Sequence, residues 1–442
     1  MKKIKHRRAS TKSAAHVKSA AAAKPAAPTA IAAVPPAPAK PKFARPAMVD
    51  RPARIGVISP AGRVVNHDEV LTYAHGDPEK SIRQFMNIGD SFVYDSSLKI
   101  LDFSELVPIY TSEDEKEQAA HIEQINQLDY VFLRGSNYIN TSGKWDAITA
   151  LLEKTNVPII AFGIGLQAPD NATEFVNEST RRFLQLISDR SASLGVRGEL
   201  SQKALASIGI RNTRIFGCPT AFRRGQPEIH LRHVEPDSID RLGFTLRRNT
   251  HGRQTLQRYM LRTLAEQYRT TIFCAGELEE KAIYYAGRGD IADRSGVMTS
   301  AVHALTDQDW MFGAGDPLLA LYRSSLAVFE AVSDFENEMR KMSAVTGFRL
   351  HGNLMALANS VPALYVTYDS RTREFVDTLG IPSVESRLMD KFSFRKEWEK
   401  ADFARFERTY AARFRDLVAF LEENGMRHRL NDGTAETLVA AE

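Results

Sequence analysis

Phe348-Arg349-Leu350-His351-Gly352-Asn353 sets a guanidinium, an imidazole and a glycine within six residues. An apolar β-type run, Ala344 to Phe348, leads in, and an Ala/Leu/Met segment, Leu354 to Ala358, reads as helix. The chemistry therefore falls at a strand-to-helix junction. In an open α/β sheet such junctions take ligands, and a helix N-terminus offers unbonded N–H groups to an anion. Arg349 presents a planar fork suited to carboxylate or phosphate. His351, with a pKa near neutrality, is the natural proton carrier beside it. The plainer reading is a surface arginine next to a satisfied turn histidine. Against it stands a second cationic strand end, Arg247-Arg248 after the run Leu242 to Leu246. If the two strands are neighbours, Arg247 and Arg349 face one crevice and suit a small substrate carrying both carboxylate and phosphate.

Other chemistry has weaker support. Gly163-Ile164-Gly165-Leu166-Gln167-Ala168 fits the dinucleotide pattern G-x-G-x-x-A. It follows a late strand, Pro169 interrupts what comes next, and no acid is placed for a ribose, so these glycines are expected to line a cleft. No phosphate-binding G-x-x-x-x-G-K-[ST] and no G-x-S-x-G elbow occur. Asp307-Gln308-Asp309 could hold Mg²⁺ with a substrate phosphate but reads better as a solvated turn. Cys218 and Cys274 are the two cysteines; they exclude a disulfide framework, and no Cys/His spacing resembles a zinc site. No metal and no cofactor is expected.

The chain has 442 residues, 43% hydrophobic and 25% charged, which suits a globular protein of two domains. Its net charge of +4 is unevenly placed. Residues 1–50 hold 11 of the 58 Lys and Arg but one of the 54 acids, so the remainder is acidic, 47 against 53. A mildly acidic body is not that of a dedicated nucleic-acid binder, and no specific nucleic-acid partner is expected. The Ala/Pro-rich segment 1–50 is expected to be a disordered basic tail able to rest on an anionic membrane surface. No apolar run approaches the ~20 residues of a membrane helix, and no secretory signal is recognisable, so a cytoplasmic protein is expected; the tail reads better as a solubilising segment with no fixed partner than as a contact with the inner face of the plasma membrane.

These sites need a scaffold, and the order of elements supplies one. Strands are expected at 54–58, 129–133, 157–162, 193–196 and 213–216, alternating with helices. Asn87-Ile88-Gly89-Asp90 has turn chemistry ahead of a helix, with Asp90 or Ser91 as N-cap. Polar sequence between Phe222 and Asp240 reads as a linker. A second series follows, with strands at 242–246, 270–274, 344–348 and 363–368; residues 275–315 read as irregular and 318–332 as helix. Such alternation implies parallel βαβ units and doubly wound sheets. The expected division is a tail (1–50), an N-terminal domain (51–235), a C-terminal domain (236–394), an amphipathic helix (395–426) and a second tail (427–442). The helix carries Phe403, Phe406, Tyr410, Phe414, Leu417 and Leu421 at spacings of three and four, a stripe better suited to packing across both domains than to dimerisation.

Taken together, Asn87-Ile88-Gly89-Asp90, the turn at Gly135, Val157 through Gly165, Val196-Arg197-Gly198-Glu199-Leu200-Ser201, Phe244-Thr245-Leu246-Arg247, Arg349-Leu350-His351-Gly352 and Val361-Pro362 through Leu379-Gly380-Ile381 resemble the polysaccharide pyruvyl transferase family. The resemblance covers roughly residues 55–381. It implies two Rossmann-like domains facing a cleft, in a glycosyltransferase-B-like arrangement. It also implies phosphoenolpyruvate as donor and a saccharide, free or lipid-linked, as acceptor. By position Arg247, Arg349, Leu350, His351 and Gly352 would meet the donor on the C-terminal side, with His351, Arg349 and Arg247 carrying the catalysis. Asn87, Gly89, Asp90, Gly135, Gly163, Gly165 and Arg197 would line the acceptor side. Two rivals share this architecture: a nucleotide-sugar glycosyltransferase, with Glu330 or Glu336 serving the ribose, and a non-catalytic member of the fold.

Overall fold

A computed structural model describes residues 48–168, 174–246, 253–307, 312–313, 315–386 and 392–431. Among them, apolar strand sequences pair into two parallel six-stranded sheets. The first half of the chain gives β1 (Ala53–Ile58), a hairpin of β2 (Arg63–Val65) and β3 (Glu69–Leu71), β4 (Phe103–Ile109), β5 (Tyr130–Arg134), β6 (Ile159–Ile164), β7 (Leu194–Val196) and β8 (Thr213–Ile215). Apart from the hairpin they run in the order β4-β1-β5-β6-β7-β8. The second half gives β9 (Arg241–Thr245), β10 (Arg269–Phe273), β11 (Leu326–Ala327), β12 (Ala344–Gly347), β13 (Ala363–Thr367) and β14 (Ser383–Glu385), in the order β11-β10-β9-β12-β13-β14. Every residue of β5 and β6 is buried, as parallel strands covered by helices on both faces require.

Both orders reverse direction once, and that reversal locates the ligand crevice. In the first sheet the chain leaves β1 for opposite neighbours β4 and β5. In the second it leaves β9 for β10 on one side and β12 on the other. The neighbours β9 and β12 pair from Ala344 with Leu242 to Gly347 with Thr245, so the strand end before Arg349 lies beside the end of β9. Gly347 sits at φ +131, and a Cβ there would stand 2.5 Å from the Thr245 carbonyl oxygen. Only glycine lets the two strand ends come this close.

The halves are fastened to one another. Arg223, buried, donates to Glu336 through Nε (3.0 Å) and Nη2 (2.6 Å), and to Asp95 through Nη1 (2.9 Å). Glu374 of the helix Ser370–Leu379 accepts from the Ser201 backbone N–H (2.6 Å) and hydroxyl (3.0 Å). Phe403–Glu423 is a 21-residue helix that buries Phe406, Tyr410, Phe414, Leu417, Phe420 and Leu421. Each such aromatic contributes roughly 1.5–3 kcal/mol by leaving water. Arg413 on this helix donates to the carbonyls of Ile215 in the first half and Thr378 in the second, so the helix spans both.

Several expectations need correction. The segment 275–315 is not irregular: helices Leu278–Arg288 and Arg294–Thr306 fill most of it. The two helices pack against each other, and Arg294–Thr306 carries no clean apolar stripe of its own. The helix expected over 318–332 ends at Ser325, and Leu326–Ala327 adds an edge strand. β4 and the helix Glu115–Asn126 were not anticipated. The C-terminal helix is two helices, Phe394–Lys400 and Phe403–Glu423, because Asp402 caps the second by accepting from the Arg405 N–H. Residues 427–431, expected as tail, dock on the first half: Asp102 N–H donates to the Arg427 carbonyl (3.0 Å) and Arg429 N–H to the Ile100 carbonyl (2.8 Å). Segments 1–47 and 432–442 lie outside the described residues. No helix among the described residues is long and apolar enough to cross a membrane.

Candidate active site

The two switch points face each other across a cavity of about 370 Å³, within the usual range for a small-molecule site. Three helices begin at its wall. Ile88–Ile100 contributes Ile88, Gly89 and Asp90; Leu350–Ala358 contributes Leu350, His351 and Gly352; Ser370–Leu379 contributes Arg371 and Thr372. Their positive dipole ends all favour negative charge in the same space. Among the described residues, the charged side chains lining the cavity are three guanidiniums, Arg197, Arg349 and Arg371, against one carboxylate, Asp90.

The first of these helices starts at Ile88 because the Asn87 side chain accepts from the Gly89 N–H (3.2 Å). Asn87 is thus the cap rather than Asp90 or Ser91, and the turn-like Asn-Ile-Gly-Asp is the helix's first turn. Asp90 accepts from Arg134 Nη1 (3.2 Å), while Arg134 Nε also donates to the Ser59 carbonyl (2.7 Å) across the first switch point.

Arg349 is the N-cap of Leu350–Ala358, which has no side-chain cap. Its backbone N–H donates to the Thr245 carbonyl (3.2 Å) and its Nε to the Leu246 carbonyl (3.2 Å), while its guanidinium pairs with Glu277. Asn353 locks this turn to β9 by donating to Thr245 Oγ1 (2.8 Å) and to the Arg349 carbonyl (2.8 Å). Arg247 and Arg248 lie outside the described residues, as do Gln308 and Asp309 of the acidic turn.

His351 departs from the neutral-pH carrier expected of it. Its Nε2 is enclosed without a hydrogen-bond partner, and its ring meets Phe375 edge-on at 6.2 Å. Burial, and then the Arg197 guanidinium, hold its pKa down at about 3, against the upward pull of Asp90; Arg371 and Arg134 add to the depression. With its pKa so depressed the imidazole is neutral at neutral pH.

Arg197 is 2% exposed, donates Nε to the Gly163 carbonyl (3.2 Å), bonds Asn137 Oδ1 through Nη1 and lies 4.9 Å over the Phe375 ring. Among the described residues no carboxylate forms an ion pair with it. A buried charge so placed is costly unless an anion joins it.

Asn87, Gly89, Asp90, Arg197, Arg349, Leu350, His351 and Gly352 are thus brought together on one cavity. Gly135, Gly163 and Gly165 are not on its wall; they stand behind it. A Cβ on Gly165 would overlap Arg197 Cδ, and one on Gly135 would stand 2.8 Å from the Phe162 carbonyl. Of the G-x-G pattern, Gly165 therefore makes room for Arg197, while Gly163, at φ +84, faces Pro219. Sequence reasoning missed Tyr368, Arg371 and Phe375, although Arg371 and Phe375 stand one helical turn apart after a strand. It also missed Glu277. Cys274, Glu277 and Glu280 bring ligand-type atoms within 4.8 Å of one another, but Glu277 is held by Arg349 and Glu280 by the Tyr322 hydroxyl. Glu330 and Glu336, considered for a ribose, do not line the cavity: Thr72, Ser81 and Tyr285 hold the first, and Arg223 the second.

The family model for polysaccharide pyruvyl transferase matches residues 87–370. The chain belongs to the polysaccharide pyruvyl transferase family. The match begins at the Asn87 cap and ends one residue before Arg371, so it takes in most of the cavity wall. No curated protein matches the chain in sequence. Among solved structures, Anabaena HepE in complex with UDP and glucose is similar at 9% identity and a TM-score of 0.41, covering 88% of this chain and 100% of its own. The UDP-GlcNAc 2-epimerase of Methanocaldococcus jannaschii is similar at 11% identity and a TM-score of 0.39, covering 83% of this chain and 99% of its own.

Proposed function

We propose that this protein transfers the pyruvyl group of phosphoenolpyruvate to two hydroxyls of a saccharide, forming a ketal and free phosphate. The observation that carries this reading is a partnerless, enclosed imidazole, His351, in a cavity where three guanidiniums outnumber one carboxylate. Phosphoenolpyruvate has a carboxylate and a phosphate on one small carbon frame, and its chemistry requires a proton at the methylene carbon.

Arg349, with Arg247 by family position, and Arg197 hold the donor's two anionic groups. The incoming negative charge offsets Arg197 and Arg371 and favours the protonated imidazole. His351 then gives its proton to the methylene carbon, and positive charge develops at the adjacent carbon. One sugar hydroxyl bonds there and gives its proton to the now neutral His351, which restores the imidazolium. The second hydroxyl displaces the phosphate, which leaves with the carbon–oxygen bonding pair and takes up the second proton. General acid catalysis of the first step is worth about 10²–10⁴ in rate, and the guanidiniums stabilise charge on the departing phosphate.

The acceptor is a saccharide, free or lipid-linked, in envelope or exported polysaccharide synthesis, and basic residues 1–50 provide contact with an anionic membrane face. The test is incubation of the full chain with phosphoenolpyruvate and saccharide precursors, followed by mass spectrometry. Appearance of a pyruvate ketal with stoichiometric phosphate supports the reading. Stabilisation by a nucleotide sugar alone, with no ketal, overturns it.

A further inference from the structure

We infer that Arg371 is a further binding residue of this site: with Arg197 it forms a two-guanidinium seat for the phosphate end of the donor. This rests on the donor reading above and adds to it which anionic group goes where.

Arg371 is the second residue of the helix Ser370–Leu379, one turn before Phe375, and both line the cavity. A cation in the first turn of a helix opposes the macrodipole, so local structure gives no reason for an arginine there. Its own contacts are long. Nη2 stands 3.3 Å from Asp369 Oδ2 and 3.4 Å from the Tyr368 hydroxyl. Asp369 meanwhile serves the helix as its N-cap, accepting from the Thr372 N–H at 2.8 Å. The guanidinium is therefore loosely held and faces the cavity.

Arg197 approaches the same space from the first half and has no carboxylate partner among the described residues. Arg197 and Arg371 line the same cavity, and burial first, with the Arg371 charge adding to it, holds Arg197 below its ordinary value. Two guanidiniums that repel across a helix N-terminus are relieved by a dianion with three acceptor oxygens. Arg349, by contrast, already has the Glu277 carboxylate against it. Arg197 has no carboxylate partner among the described residues and Arg371 has the long Asp369 contact, so positive charge is least compensated on that side, which suits the phosphate dianion; Arg349, partly neutralised by Glu277, is left for the singly charged carboxylate. His351, on the wall of the same cavity, is then left to protonate the methylene carbon attached to the carbon that joins the two groups.

The experiment is calorimetric titration of the full chain with phosphoenolpyruvate, inorganic phosphate and pyruvate at one ionic strength, for the wild type, Arg371→Gln, Arg371→Lys and Arg349→Gln. Arg371→Gln is expected to weaken phosphoenolpyruvate and inorganic phosphate by about 10- to 100-fold, the worth of one charge-assisted hydrogen bond or slightly more, and to leave pyruvate unchanged. Arg371→Lys, which keeps the charge and loses the fork, falls between, and circular dichroism confirms that each variant is folded. Arg349→Gln shows the converse pattern. Wild-type affinity for phosphate in Arg371→Gln, or an equal loss for pyruvate, overturns the assignment. If the wild type binds phosphate but not phosphoenolpyruvate, and Arg371→Gln loses the phosphate, the seat stands while the donor reading falls. If the wild type binds none of the three, both fall.

Discussion

Gly89 packs directly under the His351 ring: a Cβ on Gly89 would stand 3.0 Å from Nδ1 and 3.2 Å from Cβ of His351. The contact joins the first turn of the helix Ile88–Ile100 to the first turn of the helix Leu350–Ala358, and so fixes the imidazole by the approach of the two halves. Gly89→Ala tests this with opposite signs in two measurements. Alanine in a helix is favoured over glycine by about 0.5–1 kcal/mol, so the melting temperature should hold or rise slightly. The ring must shift by a few tenths of an ångström, and kcat should fall by roughly 3- to 10-fold, a fraction of the ~100-fold that a misplacement of 1 Å costs. Wild-type turnover in Gly89→Ala would show that the ring position is not critical.

Acid stability follows from the same histidine. Its folded pKa is lowered to about 3 by burial and by Arg197. The unfolded chain therefore binds a proton that the folded chain refuses, below an unfolded value of about 6.5. Stability from this group is fully present above that value and is lost as pH falls toward 3. Between about pH 7 and pH 5 the loss is on the order of 2 kcal/mol for this one residue. His351→Asn should remove that part of the slope, read as urea midpoints at the two pH values. An unchanged slope in the variant would place the acid sensitivity elsewhere.

The junction at Arg349 and His351 was legible because strand, turn and helix are consecutive in sequence, and an apolar run ending in charge is a local signal. That β9 and β12 adjoin was legible only as a condition, which the pairing of Thr245 with Gly347 meets. Arg371, Phe375 and Glu277 were not legible. Arg371 and Phe375 reach the cavity from a helix whose orientation is set by the sheet, and Glu277, the residue before Leu278–Arg288, meets Arg349 from behind the wall. The state of His351 was unreadable for the same reason, since Arg197, distant in sequence and on the other half, depresses its pKa. The two-residue strand Leu326–Ala327 has no periodicity of its own and exists because β10 offers an edge.

Gly165 offers a test of the Arg197 seat without altering a charge. A Cβ there would overlap Arg197 Cδ and stand 3.0 Å from Nη1. Gly165→Ala should displace the guanidinium from the Gly163 carbonyl and weaken phosphoenolpyruvate binding by about 10-fold or more, while pyruvate binding holds. The measurement is titration with both ligands. Equal affinity for phosphoenolpyruvate in variant and wild type would remove Arg197 from the donor site.

Arg223 holds the frame on which the cavity depends. It bonds Asp95, on the helix that begins at Gly89's turn, and Glu336, on the helix Val332–Arg340 of the second half. Arg223→Met fills a similar volume but leaves two buried carboxylates facing each other. Lys99 remains 2.9 Å from Asp95, and Arg340 remains 3.0 Å from Glu336, so compensation is partial. The expected loss is about 3 kcal/mol, at the lower end of what breaking a buried pair costs. Adding Asp95→Asn and Glu336→Gln should restore part of it, because neutral amides no longer demand a cation. Urea unfolding of the single and triple variants gives the comparison. If the triple variant is less stable than Arg223→Met alone, the network's hydrogen bonds rather than its charge balance hold the two halves in register.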